Sequence, residues 1–177
     1  MSQRESGYER IERDLYETPE WATLALLPHL PRQPTAIWEP AAASGKMVRA
    51  LESSGAYVLG SDIDQGCDFM EAKSLPEGSH WDAIITNPPY VIAPKFIWQA
   101  LVLTRDTAGF VAMLLRTDFD HAKTRDYLFD RAQFAKKIVL RKRIQWFEDS
   151  KGSPSFNHAW FIWDWQHKGA PTLAYGP

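Results

Sequence analysis

Apolar positions along the chain fall into short runs of two kinds, and the two kinds alternate. Ala36–Glu39, Tyr57–Ser61, Asp82–Thr86, Gly109–Leu115, Lys137–Leu140 and Ala159–Trp165 are compact apolar or β-branched runs of strand length. Helical spacing lies between them. Lys46–Ser53 carries Met47, Ala50 and Leu51 and is closed by Gly55. Pro94–Thr104 turns Phe96, Ile97, Ala100 and Leu101 inward, and Ala122–Phe129 reads as a further helix. Thr18-Pro19 has the form of a helix start, with Thr18 as N-cap and Pro19 at the first helical position. That helix carries Trp21, Leu24, Ala25 and Pro28 and ends before Pro31. Ahead of it, residues 1–17 set three arginines against five acids, and 1–15 reads as a partly ordered arm. Strands alternating with helices predict an α/β fold, a mostly parallel sheet with helices on both faces.

Composition narrows the function classes. With 177 residues, and roughly 100–200 residues to a domain, the expectation is one domain over 1–177 with no second recognition module. Apolar residues at 45%, with eight Trp, supply a core and exclude wholesale disorder. A net charge of −2 excludes polyanion binding by bulk charge, so an anionic partner must be held by a local patch. The one cysteine, Cys67, excludes an internal disulfide framework and a cysteine-rich zinc site. His29, His80, His121 and His167 lack ligand spacing, so no metal is expected. The polar N-terminus lacks an apolar targeting core, and no run approaches the roughly 18 apolar residues of a membrane span. A soluble, cytoplasmic protein without membrane contact is expected.

In an open α/β sheet, ligands bind at the carboxyl ends of strands, and three of these ends carry unusual residues. The first strand ends in Glu39-Pro40-Ala41-Ala42-Ala43-Ser44-Gly45, an acid followed by small residues that let a ligand approach the backbone. The carboxylate can accept hydrogen bonds from a cationic or hydroxylic ligand. The next strand ends in Gly60-Ser61-Asp62-Ile63-Asp64, an acid about 20 residues beyond the first turn, where a ribose is commonly held. The third ends in Asn87-Pro88-Pro89-Tyr90. No G-x-G-x-x-G and no P-loop pattern occurs, which weakens a nicotinamide or flavin reading and excludes a P-loop nucleotidase.

Asn87-Pro88-Pro89-Tyr90 resembles the signature of the class I S-adenosylmethionine-dependent amino-methyltransferases that act on N6 of adenine or N4 of cytosine. Tyr16-Glu17-Thr18-Pro19 is similar to the aromatic-x-Thr-Pro motif of that family's cofactor site, and Glu39-Pro40 with its small-residue turn to its cofactor loop. Asp62 matches the family's ribose acid, and Asp68-Phe69 its adenine-flanking pair. The match is collinear from about residue 16 to 115, in the order of the mostly adenine-specific subgroup. One departure stands out. Ala43 occupies the position of the family's first loop glycine, and a positive φ there costs an alanine on the order of 1 kcal/mol.

The resemblance implies a three-layer Rossmann-like methyltransferase fold with a seven-stranded, mostly parallel sheet and the last strand antiparallel. S-adenosylmethionine is the implied cofactor, bound by Tyr16, Thr18, Pro19, Glu39, Pro40, Ala41, Ser44, Gly45, Asp62, Ile63, Asp68, Phe69 and Asn87. Asn87, Pro88, Pro89 and Tyr90 are the implied catalytic residues. An exocyclic amine is a poor nucleophile because its lone pair is delocalised into the ring. The Asn87 side-chain oxygen and the Pro88 carbonyl can draw the two N–H bonds toward tetrahedral geometry, free the lone pair and stabilise the developing positive charge. Tyr90 offers a face for the base, flipped out when the acceptor is a duplex. Cytosine-C5 methylation needs a Pro-Cys thiolate, and Cys67 lacks that setting.

The segment Arg131–Arg143 holds six basic residues and no acid, so Lys136, Lys137, Arg141, Lys142 and Arg143 are the candidates for phosphate contact. Trp146–His158, rich in Gly, Ser, Pro and aromatics, is long for a hairpin and able to reach a groove. His158, Trp160, Trp163 and Trp165 read as packing on a closing strand. The expected activity is methylation of adenine N6 in DNA with loose or short-site specificity, by a compact enzyme like those of phages, as a monomer or dimer. The alternatives are RNA adenine, a glutamine side-chain amide of a protein, and a non-catalytic binding subunit.

Overall fold

In the computed structural model, residues 16–78, 80–130, 133–146 and 156–177 are described. The expected N-terminal arm over 1–15, Arg131 of the basic segment and residues 147–155 of the aromatic stretch lie outside them.

The strands are β1 (Ala36–Glu39), β2 (Tyr57–Gly60), β3 (Ala83–Thr86), β4 (Phe110–Arg116), β5 (Phe134–Val139), β6 (His158–Asp164) and β7 (Thr172–Tyr175). They form one seven-stranded sheet in the order β2-β1-β3-β4-β6-β5-β7. β1, β2, β3 and β4 pair in parallel, β6 runs antiparallel between β4 and β5, and β7 is parallel to β5. The expected closing strand, Ala159–Trp165, is thus β6, and it is antiparallel. It is not the last strand. A short turn after β6 reverses the chain again, so β7 necessarily runs the other way. Three of its four residues are exposed, which leaves no apolar pattern for a sequence reading to detect. β5 starts earlier than expected, at Phe134, through a register shift between Phe134 and Lys136.

The helices are α1 (Glu20–Leu24), α2 (Lys46–Glu52), α3 (Ala93–Thr104) and α4 (Asp126–Phe129). The predicted cap at Thr18 is not formed: the N-cap of α1 is Pro19, without a side-chain cap bond. α1 also stops at Leu24, and a 3-10 turn over Leu27–His29 follows. Pro28 explains this, because its ring would clash with the carbonyl of Leu24 and cannot donate to it. The expected helix Ala122–Phe129 is α4 preceded by a 3-10 turn over Lys123–Arg125.

Alternation along β4 makes the two halves of the core. Phe110, Ala112 and Leu114 face a cluster with Ala22 of α1, Leu26 just after it, and Met47 and Leu51 of α2. Val111, Met113 and Leu115 face the other cluster, with Phe96, Ile97 and Leu101 of α3 and Leu128 of α4. The result is three layers, α/β/α. Every residue of β1, β3 and β6 is buried, so their ends emerge from a fully covered sheet. Among the described residues no helix is long and apolar enough to cross a membrane.

Candidate active site

β1 and β3 are neighbours, and their carboxyl ends deliver Glu39 and Asn87 to one place. A cleft opens there, with about 690 Å³ of space when the part open to solvent is counted. Among the predicted cofactor residues, Tyr16, Pro40, Ala41, Asp62, Ile63, Asp68, Phe69 and Asn87 line it, as does Pro89. Thr18 and Glu39 line a smaller recess that shares Tyr16, Ala41, Ala43 and Asn87 with the cleft. Pro19, Ser44 and Gly45 line neither. The far wall is apolar, made by Ile63, Phe69, Met70, Ile92 and Phe96. Ile63 is 61% exposed, an apolar side chain at the cleft without cover.

The loop after β1 is held by its own acids. Oε1 of Glu39 accepts the Ala41 amide at 2.9 Å and the Thr86 hydroxyl at 2.5 Å. Burial pushes the Glu39 carboxyl up to about 8, opposed by the bonds from Thr86 and Ala41 and aided by the charge of Asp62. The two carboxylate oxygens of Asp62 accept different amides, that of Ala43 at 2.8 Å and that of Asp64 at 3.0 Å. Asp62 therefore ties the β1 loop to its own turn. Ala43 has φ of 43°, the left-handed conformation expected from the family's glycine position, and Gly45, the N-cap of α2, has φ of 81°. Asp68 caps the turn that carries Phe69, accepting the Met70 amide at 2.8 Å.

Among the described residues, the Asn-Pro-Pro-Tyr turn has two acceptors that receive no hydrogen bond. Nδ2 of Asn87 donates to the Tyr16 carbonyl at 2.9 Å, which fixes the amide's orientation. Oδ1 of Asn87 is then buried without a hydrogen-bond partner. The carbonyls of Pro89 and Tyr90 accept the amides of Ile92 and Ala93, whereas that of Pro88 accepts none among the described residues. Tyr90 is flanked by Tyr16, with ring centroids 6.4 Å apart, and by His158 at 6.3 Å. Trp146 completes the group, 5.4 Å from Tyr16 and 5.1 Å edge-on from His158. Tyr90, Trp146 and His158 do not line the cleft. Asn87 thus stands at the junction of an apolar cleft and an aromatic cluster.

Several of these residues escape a sequence reading. Phe96 lines the cleft from the inward stripe of α3, where core spacing accounts for it equally well. Glu17 pairs with Lys46 at 2.8 Å beside the recess, and hydrogen bonds from Lys46 and Ser44 hold its carboxyl below the ordinary value. Trp146 and His158 belong to the aromatic-rich stretch, but their convergence on Tyr90 is tertiary. Trp160, Trp163 and Trp165 pack as expected, donating to the carbonyls of Ala22, Leu128 and Leu101.

The basic segment does not form one patch. Lys136 and Lys137 project to opposite faces of β5. Lys136 donates to the His29 carbonyl at 3.1 Å. Lys137 bonds the Thr117 carbonyl and pairs with Asp120 at 2.7 Å. Arg141, Lys142 and Arg143 are exposed and follow the carboxyl end of β5, on the side of the sheet where Asn87 lies. Arg141 donates to the Gly176 carbonyl, Lys142 sits 4.7 Å over the Trp21 ring, and Arg143 donates to Oδ1 of Asn157. Among the described residues no cluster of three or more His, Cys, Asp or Glu has the arrangement to hold a metal ion.

Comparison of folds places this geometry in context. The methyltransferase subunit of a type I restriction-modification system from Streptococcus thermophilus superposes with a TM-score of 0.60 at 13% identity, over 90% of this chain and 47% of that one. A Pyrococcus horikoshii protein provisionally assigned as an RNA methyltransferase gives 0.64 at 14% identity, over 91% and 93%. A Listeria monocytogenes protein provisionally assigned as a class I S-adenosylmethionine-dependent methyltransferase gives 0.56 at 12%, over 96% and 68%. This chain spans about half the length of the Streptococcus subunit. No family model matches the sequence, and no curated protein is significantly similar to it. At these identities the likeness is one of fold: the chain has the Rossmann-like α/β architecture that these proteins share.

Proposed function

We propose that this chain is an S-adenosylmethionine-dependent methyltransferase that modifies the exocyclic N6 amine of adenine in DNA, with loose or short-site specificity. The observation that carries the reading is the buried, unpartnered Oδ1 of Asn87 beside an apolar cleft, next to a Pro88 carbonyl that accepts no hydrogen bond among the described residues. A buried acceptor left open is costly unless a ligand completes it. An –NH2 group presents the two donors this pair needs.

The residues present fit the cofactor. Ile63, Phe69, Ile92 and Phe96 offer a slot for a purine. Each carboxylate oxygen of Asp62 retains a lone pair for a ribose hydroxyl after accepting one amide. Glu39, Thr18 and Tyr16 line the recess for the amino-acid end, and the buried Thr18 hydroxyl has no partner of its own there. When bound, S-adenosylmethionine supplies an electrophilic methyl group on a sulfonium centre. The chain's own part is to prepare the amine. Oδ1 of Asn87 and the Pro88 carbonyl accept its hydrogens, localise the nitrogen lone pair and stabilise positive charge on nitrogen. The Tyr16 carbonyl keeps the Asn87 amide from rotating its nitrogen into that position. Tyr90 supplies a stacking face. Arg141, Lys142 and Arg143, exposed at the same end of the sheet as Asn87, are the cations available to phosphates flanking a flipped base.

Transfer of labelled methyl from S-adenosylmethionine to duplex DNA, single-stranded DNA, RNA and a protein extract, run in parallel, tests the reading. Label in DNA supports it. Label confined to RNA or to protein replaces the acceptor, and no label in any arm overturns the reading.

A further inference from the structure

His158 is 2% exposed, yet its Nδ1 is a buried polar atom without a hydrogen-bond partner. Buried polar groups in native structures are nearly always satisfied, so an open one needs an explanation. Its position suggests one. His158 is the first residue of β6, in register with Arg116 at the carboxyl end of β4, and this brings the imidazole to the end of the sheet where Asn87 lies. Its ring sits 6.3 Å from Tyr90 and is covered by the Trp146 edge at 5.1 Å.

We infer that His158 is a specificity-determining residue that reads the acceptor base, its Nδ1–H donating a hydrogen bond to a ring nitrogen of the flipped adenine. The inference rests on the reading given above, in which both hydrogens of the amine are taken by Asn87 and Pro88. The other polar atoms of an adenine ring, N1, N3 and N7, are all acceptors. A protein group that recognises the ring must therefore donate. Asn87 Oδ1 and the Pro88 carbonyl cannot do this, and the open imidazole nitrogen can.

The charge state suits the task. Burial holds His158 down at about 4, with Arg116 adding to the effect and Asp118 opposing it, so the ring is neutral at physiological pH and carries one N–H. A neutral donor recognises the base without placing a cation beside an amine nitrogen that turns positive during transfer. The imidazole is closed off in this structure, so a base reaches it by displacing Trp146, which is partly exposed. A glutamine amide has no ring nitrogen, and the same imidazole would disfavour it.

The test uses oligodeoxynucleotides in which every adenine is replaced by 1-deaza-, 3-deaza- or 7-deaza-adenine, each replacing one ring acceptor with C–H. The wild type should lose about tenfold in kcat/KM on one of the three, in keeping with the loss of one hydrogen bond. His158→Phe should be weakened to a similar extent on ordinary adenine and lose little more on that analogue. His158→Asn, which keeps a polar nitrogen near Nδ1, should recover part of the discrimination. All forms should bind S-adenosylmethionine alike. Losses in His158→Phe that simply add to those of every analogue, or a wild type indifferent to all three, would overturn the inference while leaving the proposed reaction standing. A wild type that methylates no adenine at all removes both. Should the variants not fold, 15N spectra of the wild-type imidazole decide. A proton on Nδ1 whose signal shifts when adenine oligonucleotide is added is expected; a proton on Nε2 indifferent to the oligonucleotide contradicts the inference.

Discussion

In the proposed reaction Asn87 acts through its orientation. A primary amide has one acceptor and two donors, and the Tyr16 carbonyl engages the donor end, so the acceptor end faces the open position. Asn87→Ala should lower kcat by about 10²–10³-fold, the usual cost of removing one preorganised partner. Its affinity for S-adenosylmethionine, read by calorimetry, should change by less than about threefold, since only one amide among many binding groups is removed. Equal loss of both would assign Asn87 to cofactor binding alone. Glu39 makes a different prediction. Its folded value of about 8 lies above the ordinary 4.5. The stability it contributes is therefore fully present below pH 4.5 and is lost as pH rises through 8. Glu39→Gln, neutral at all these values, should melt close to the wild type near pH 4.5 and above it near pH 8 in the ligand-free state. Its affinity for the cationic cofactor should no longer increase with pH over that window. Thermal melts at the two ends check the first, and titrations check the second. Asn87, Glu39 and Asp62 stood out in the sequence as candidates because each stands at a strand end next to a small or rigid turn. His158 was not, because its chemistry comes from an unsatisfied nitrogen, and satisfaction is decided by neighbours distant in sequence.

At the scale of the element, the β1–α2 loop stores strain. Ala43 holds φ of 43°, and its amide is fixed by Asp62. Left-handed backbone costs an alanine roughly 1–2 kcal/mol, and glycine returns about half of that through its freer unfolded chain. Ala43→Gly should thus stabilise the protein by up to about 1 kcal/mol and leave cofactor affinity intact. A lower melting temperature would show that the Ala43 side chain packs more than it strains. The basic segment behaves as two units. Lys137 is half-buried against Asp120, so Lys137→Met should lower stability and leave nucleic-acid affinity nearly unchanged. Replacing Arg141, Lys142 and Arg143 together by Gln should weaken nucleic-acid binding and reduce its salt slope by about one for each phosphate left without its cation. An unchanged slope would reduce these residues to a solvated surface. The sequence could not make this division. Adjacent lysines on a strand point to opposite faces, but only the packing of His29 and Asp120 shows that both are engaged. β7 was invisible for the related reason that its stabilisation is a backbone ladder to β5, without a buried stripe.

For the whole molecule, apolar periodicity sufficed to predict the layers. β4 buries both faces, and the helices between strands supply a cover for each side. What periodicity could not supply is convergence: Tyr16, Asn87, Trp146 and His158 come from separate parts of the chain and meet at one end of the sheet. That end combines an apolar cleft, the unpartnered Oδ1 of Asn87 and a group of aromatic rings. The most direct test of their joint purpose is mass analysis of the nucleosides of DNA incubated with the protein and isotopically labelled S-adenosylmethionine, with Asn87→Ala beside the wild type. The proposal predicts labelled N6-methyladenosine of the deoxy series from the wild type and almost none from the variant. Label on N4 of cytosine or on C5, or equal yields from the two proteins, would contradict it.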